Sequence, residues 1–311
     1  MVTAATQLLI AYDGSETADD AVRAAARLFP RARARVLFVR RPSVADDSAS
    51  AARIAMPDTV IAAAMEEHER EIRSRAEELV ERGRLLAEDA GLEATAELRE
   101  GGTPWRVVAD AAREEGIDVV VCGSRGQGLV SRSLLGSTSS SLLYHAERPV
   151  LVLPREVGYL EGPALIGYDG SDGAAEAIDA AARLLAGRPA IVAHAWSSPL
   201  ERSYAGQSLA RVPMREIGEL RQDVEEMIAA HSAEIAEEGA ARARAAGLDA
   251  RALAMEAQEG VWRALAASAR SERAAVIVAG RRGRGALAST VLGSVSAALA
   301  HNAELPVLIV R

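Results

Sequence analysis

The sequence predicts an α/β protein made of two copies of one domain, each a parallel sheet with helices on both faces. Three observations carry this. The chain repeats itself almost end to end: Leu8-Leu9-Ile10-Ala11-Tyr12-Asp13-Gly14-Ser15 returns as Ala164-Leu165-Ile166-Gly167-Tyr168-Asp169-Gly170-Ser171, and Pro149-Val150-Leu151-Val152 returns as Pro306-Val307-Leu308-Ile309. A domain-sized period means a tandem pair rather than a solenoid. Within each copy, short apolar runs alternate with helical patterns, the signature of strands joined by crossover helices. Finally, Gly123-x-x-Gly126 with Gly136-Ser137 nine residues on, and Gly280-x-x-Gly283 with Gly293-Ser294 nine residues on, each follow an apolar run.

In the first copy, strand one is expected over residues 7–12 and a helix over 15–28. Strand two follows over 34–39. A loop holding Pro42 and Pro57 leads to a long charged helix over 59–90, most simply a solvated amphipathic face. Strand three is expected over 94–98, a helix over 104–115, strand four over 118–122, a helix from Ser137 and strand five over 149–153. The second copy repeats this order, with its long helix over about 209–246. The domains are expected over residues 1–156 and 161–311, with a linker around 155–162 that ends in glycine and proline.

Totals narrow the chemistry. With 311 residues, each copy has the length for its own core. No apolar run approaches the roughly 20 residues that cross a bilayer, and residues 1–7 carry no basic leader signature. Cys122 is the single cysteine, which fits a reducing cytosol. A net charge of -8 disfavours nucleic acid as the main partner. All 36 basic residues are arginine. Without lysine there is no Walker A loop, no Schiff-base chemistry and no kinase-type strand lysine.

The glycine loops read as phosphate cradles. Small residues let backbone N–H groups approach an anion, and the following helix offers its unbonded N–H groups. Ser137 and Ser139, or Ser294 and Ser296, can cap that helix or bond a phosphate, and Arg125, Arg281 and Arg282 add charge. Asp13 and Asp169 end strand one; each can meet a sugar hydroxyl or a metal-bound water, or cap the next helix. Ala11 and Gly167 are small enough for an adenine edge to lie against their backbone. Strand two ends near Val39-Arg40 and His194-Ala195, where base contact is plausible; a bulky Arg40 would alter the first pocket. His194, Trp105 and Trp262 read as packing residues, and Cys122 as an inert buried thiol.

With these motifs the chain resembles the universal stress protein family, whose mark G-x2-G-x9-G-[S/T] occurs in full in both copies. The resemblance implies two Rossmann-like domains of the adenine nucleotide alpha hydrolase type, each with five parallel strands in the order 3-2-1-4-5. It implies ATP, with Mg2+, held between the end of strand one and the glycine loop. The implied contacts are Ala11, Asp13, Gly123, Arg125, Gly126, Gly136, Ser137, Thr138 and Ser139 in the first copy. In the second they are Gly167, Asp169, Ala195, Gly280, Arg282, Gly283, Gly293, Ser294, Val295 and Ser296. It also implies pairing through strand five, here as an internal pseudo-dimer, with a homodimer as a further option. A cytoplasmic regulatory module of stress physiology follows, with an unknown protein partner and no membrane contact. The alternative is a slow Mg-dependent ATPase or nucleotidyl transferase of related fold. No catalytic residue and no protein-built metal site is assigned.

Overall fold

The structure, a computed structural model, describes residues 5–41, 58–114, 116–126, 135–197, 214–283 and 292–311. The first half runs β1 (Gln7–Ala11), α1 (Glu16–Leu28), β2 (Arg33–Arg40), α2 (Asp58–Asp89), β3 (Glu93–Glu100), α3 (Pro104–Ala112), β4 (Val119–Gly123), α4 (Ser137–His145) and β5 (Val150–Leu153). The second half repeats it as β6 (Ala164–Gly167), α5 (Asp172–Leu184), β7 (Ala190–Trp196), α6 (Met214–Ala245), β8 (Ala250–Glu256), α7 (Val261–Ser271), β9 (Val276–Gly280), α8 (Ser294–Asn302) and β10 (Val307–Val310). Residues 209–213 of the expected second long helix lie outside the described residues.

The ten strands form one sheet in the order β3-β2-β1-β4-β5-β10-β9-β6-β7-β8. Each half therefore has the order 3-2-1-4-5, parallel throughout. The halves join where β5 and β10 run antiparallel, with Leu151 opposite Leu308. That single antiparallel pair turns two five-stranded sheets into one and removes both fifth-strand edges.

Strand residues alternate between two apolar layers, as the two-residue repeat of a strand requires. Leu8, Ile10, Val119 and Val121 pack beneath α1 and α2 with Ala21, Val22 and Val80. Leu9, Leu37, Val120 and Cys122 pack beneath α3 and α4 with Val108 and Leu142. Both faces are covered, so the central strands read as unbroken apolar runs. Each layer continues across the β5–β10 junction: Leu151 and Leu308 share one, Val150, Val152, Val307 and Ile309 the other. The segment between the halves is tied to the second, because Arg188 donates to the carbonyls of Leu160 and Gly162 at 2.9 and 2.6 Å.

Candidate functional site

Strand β1 delivers Asp13 to the carboxyl edge of the sheet. Gly14 then turns the chain at φ +77°, a left-handed conformation that suits glycine. Asp13 Oδ1 accepts from the Ser15 N–H at 3.0 Å and the Ser15 hydroxyl at 2.6 Å. The Ser15 Oγ in turn accepts from the Ala18 N–H at 3.2 Å as the N-cap of α1. Thus Ser15, not Asp13, caps the helix, and the carboxylate orients the cap. The second half repeats the device with Gly170 at φ +78°. Asp169 Oδ1 accepts from the Ser171 N–H at 3.0 Å and the Ser171 hydroxyl at 2.5 Å, and Ser171 caps α5.

Strand β4 delivers the glycine loop beside this turn. A Cβ on Gly126 would strike Asp13 Oδ2, and one on Gly283 would stand 2.5 Å from Asp169 Oδ2. The second glycine of each motif is therefore small because the strand-one carboxylate lies against it. The first glycine has another reason. A Cβ on Gly123 would come within 2.9 Å of Thr17 Cγ2, and one on Gly280 would run into the Gly173 carbonyl, so these two let the next strand approach a helix start. Each loop closes at its root, with Gly136 N–H donating to Ser124 O at 2.7 Å and Gly293 N–H to Arg281 O at 2.8 Å. Residues 127–134 and 284–291 of the two loops lie outside the described residues.

The helices that follow begin differently from the capping expectation. Gly136 and Gly293 occupy the N-cap positions, and neither helix has a side-chain cap. The first intrahelical bond of α4 is Ser140 N–H to Gly136 O at 2.8 Å. That leaves the N–H groups of Ser137, Thr138 and Ser139 ahead of the helix ladder, with the positive end of its dipole. The Ser139 hydroxyl donates to Gly123 O at 2.6 Å, and the Ser296 hydroxyl to Gly280 O at 2.6 Å. These two hydroxyl protons are committed to tying helix to strand.

Between these parts lies a cleft of about 620 Å3, within the size range of small-molecule sites. All nine first-half residues expected at the site line it: Ala11, Asp13, Gly123, Arg125, Gly126, Gly136, Ser137, Thr138 and Ser139. Its far wall is apolar, made by Leu37 and Val39 of β2, Val108 of α3 and Cys122 of β4. The sequence reading did not single out Leu37, Val108 or Arg41. For the β2 side the signal was the pleat: Leu37 stands opposite Ala11 in the β1–β2 ladder, so Leu37 and Val39 share the face of Ala11.

The same alternation turns Arg40 to the opposite face. Its guanidinium pairs with Glu69 at 2.5 Å and Glu100 at 3.0 Å, and the Glu100 contact foremost holds its pKa above the usual arginine value. Arg40 does not line the cleft, whereas Arg41 does, so the expected obstruction is corrected. Arg281, at the root of its own loop, is 5% exposed, and its guanidinium also donates to Tyr144 O of α4, in the other half. Burial pushes the Cys122 thiol up to about 12, with the Ser139 hydroxyl acting the other way. His194 Nδ1 lies 2.7 Å from Tyr168 O, and Trp105 stacks on His145 with ring centres 4.5 Å apart.

In the second half, Gly167 stands opposite Ala193, and Ala195 follows on the same face of β7. A Cβ on Gly293 would lie 3.6 Å from Arg282 Cα and 3.7 Å from Ser296 Oγ, so Arg282 and the start of α8, with Ser294 and Val295, meet as Arg125 and the start of α4 do. Among the described residues, no three His, Cys, Asp or Glu side chains group to hold a metal ion. No helix among them is long and apolar enough to cross a membrane.

The model of a family described as the universal stress protein family matches residues 5–154 and 162–311. A universal stress protein of Mycolicibacterium smegmatis is 30% identical over 325 residues, covering 100% of this chain and 99% of that one. One from Mycobacterium tuberculosis is 30% identical over 221 residues, covering 67% of this chain and 66% of that protein. In fold, the crystal structure of a universal stress protein from Archaeoglobus fulgidus is similar, with a TM-score of 0.63 at 20% identity over 99% of both chains.

Proposed function

This chain belongs to the universal stress protein family, and on that premise we propose that each half binds ATP and that the protein acts as a nucleotide-dependent regulatory module. The observation that carries the reading is the meeting of Gly126 with Asp13 at one end of a cleft whose other end is apolar. A ligand that fits needs an anionic end, a hydroxylated middle and a flat apolar end.

The fit is supported residue by residue. The backbone N–H groups of Ser137, Thr138 and Ser139 suit phosphate oxygens, and Arg125 supplies charge. Ser139 takes part through its N–H only, since its hydroxyl proton goes to Gly123 O and a phosphate oxygen can only accept. Asp13 stands where a ribose hydroxyl would donate. Ala11, Leu37, Val39 and Val108 give the base an apolar wall. In the second half Gly167, Asp169, Ala195, Gly280, Arg282, Gly283, Gly293, Ser294, Val295 and Ser296 take the corresponding roles. Mg2+ would arrive on the phosphates, with Asp13 or Asp169 as the adjoining carboxylate. A partner protein reading the occupied clefts, in the cytoplasm, completes the proposal.

Isothermal titration with ATP and Mg2+, with GTP as comparison, tests it. Two ATP per chain are expected. Gly126→Val together with Gly283→Val should abolish the heat while circular dichroism stays unchanged, because the added Cβ lands on the aspartate that borders the ligand. Absence of ATP binding at millimolar concentration overturns the reading.

A further inference from the structure

Arg281 sits at the root of the second glycine loop and reaches into the first half. Its N–H donates to Val310 O at 2.5 Å, and its carbonyl accepts from Gly293 N–H. Its guanidinium donates to Tyr144 O. That carbonyl is among the last four of α4, which have no donor inside the helix, and the cation faces the negative end of the helix dipole. The other end of the same nine-residue helix, roughly 13 Å away, presents Ser137, Thr138 and Ser139 to the first cleft. One short rod thus has the first cradle at its start and an arginine of the second loop at its end.

Among the described residues the link has no mirror image. Ser124 occupies the position matching Arg281, with the same backbone bonds: its N–H donates to Leu153 O at 2.7 Å and its carbonyl accepts from Gly136 N–H at 2.7 Å. Its side chain is too short to make the return contact to α8.

We propose that Arg281 is a positioning residue for the first cleft, and that through it ATP in the second cleft raises the affinity of the first. The proposal rests on the ATP reading above and specifies its regulation. Arg281 lies close enough to Arg311 and Arg282 that, after burial, their charges depress its pKa. An anion bound beside Arg282 offsets this repulsion and favours the arrangement in which Arg281 holds Tyr144 O. The held helix keeps its three N–H groups in place, so the first cleft loses less order on binding. Linkage makes the effect reciprocal.

The test separates the two clefts. Gly283→Val leaves the first cleft alone, and its ATP affinity is compared with that of the first cleft in the wild-type chain with the second filled. A loss of about five-fold or more is expected on blanking the second cleft. In an Arg281→Met background, which keeps the apolar stem and removes the charge and donors, the first-cleft affinity should no longer depend on Gly283→Val. Arg281→Lys, a milder change, should restore part of the dependence. Native-state hydrogen exchange adds a ligand-free readout: Arg281→Met should speed exchange of the α4 amides. Two independent sites in the wild-type chain, or coupling that survives Arg281→Met, overturns the proposal while leaving ATP binding intact. A wild-type chain that gives no ATP heat overturns the ATP reading, and this proposal with it.

Discussion

Burial sets the chemistry of Cys122. Its thiol ionises only near 12, against an ordinary value of 9.0, because the charged form would be desolvated. Burial first, then the hydrogen bond to Asp19, moves Tyr12 from 10.0 to about 12 in the same direction. The sign of the consequence follows. Between pH 9 and 12 the unfolded chain has released the thiol proton and the folded chain still holds it, so stability falls as pH rises through that window. Urea midpoints measured across it should drop, and Cys122→Ala should flatten the drop at little cost near neutral pH, since Ala279 fills the matching position. An identical slope in wild type and variant would remove Cys122 from the account. The reactivity of this residue was legible in sequence from its place at the end of an apolar strand. The direction of Arg40 was not: at a strand end one step of pleat decides which face a side chain takes, and the register that fixes it comes from neighbouring strands.

Gly83 and Gly239, inside the long helices, look like flaws when read as sequence. Glycine costs about 1 kcal/mol relative to alanine in a helix interior. The packing explains both. A Cβ on Gly83 would stand 2.8 Å from the Tyr12 ring, and one on Gly239 would stand 2.6 Å from the Tyr168 ring. Each tyrosine follows strand one directly and precedes the aspartate of the cleft, so the long helix acts as a backstop for that turn. The Tyr12 hydroxyl donates to Asp19 at 2.5 Å, and Arg82 donates to the Tyr12 hydroxyl at 3.1 Å. The Tyr168 hydroxyl donates to Glu238 at 3.0 Å. Gly83→Ala and Gly239→Ala should therefore destabilise the chain, each by about 1–3 kcal/mol in chemical denaturation, although propensity alone predicts a gain. Ser74→Ala, at an exposed position of α2, should leave stability unchanged or slightly raised. A gain at Gly83 would show that the ring moves aside freely. The helices and strands themselves were legible from their periods, and their ends differ from expectation by a few residues. The reason for the glycines was not, because Tyr12 and Gly83 meet only after the chain has crossed the sheet.

At the scale of the molecule, the sheet is symmetric and its polar links are not. Arg183 of α5 donates to Asp118 at 2.7 Å across the junction, and Asp118 also accepts from Gln7 N–H at 2.9 Å. The second half has Ala275 where the first has Asp118, so among the described residues this link, like that of Arg281, exists once. The strand-five junction could be read from the apolar edges that need cover; the one-sided links could not, since they join positions that pair only in the assembled sheet. The full chain leaves β3 and β8 as its edges, and the Glu93, Glu97 and Arg99 of β3 discourage further pairing there. The first half alone, residues 1–156, would instead expose the Val150-Leu151-Val152-Leu153 edge. It should form a dimer in which β5 pairs with its own copy as it now pairs with β10, with Leu151 opposite Leu151. In that dimer Arg27, which occupies the α1 position matching Arg183, would face Asp118 of the other copy twice. Such half-exposed ion pairs contribute at most about 1 kcal/mol each. Arg27→Ala should therefore weaken the dimer of the isolated half by up to roughly thirty-fold over its two pairs, and leave the stability of the full chain nearly unchanged, because Arg27 is exposed there. Sedimentation equilibrium measures both. A monomeric first half at tens of micromolar would show that the apolar edge is insufficient, and an unaltered dimer constant in Arg27→Ala would show that the junction is held by the strands and their two apolar layers alone.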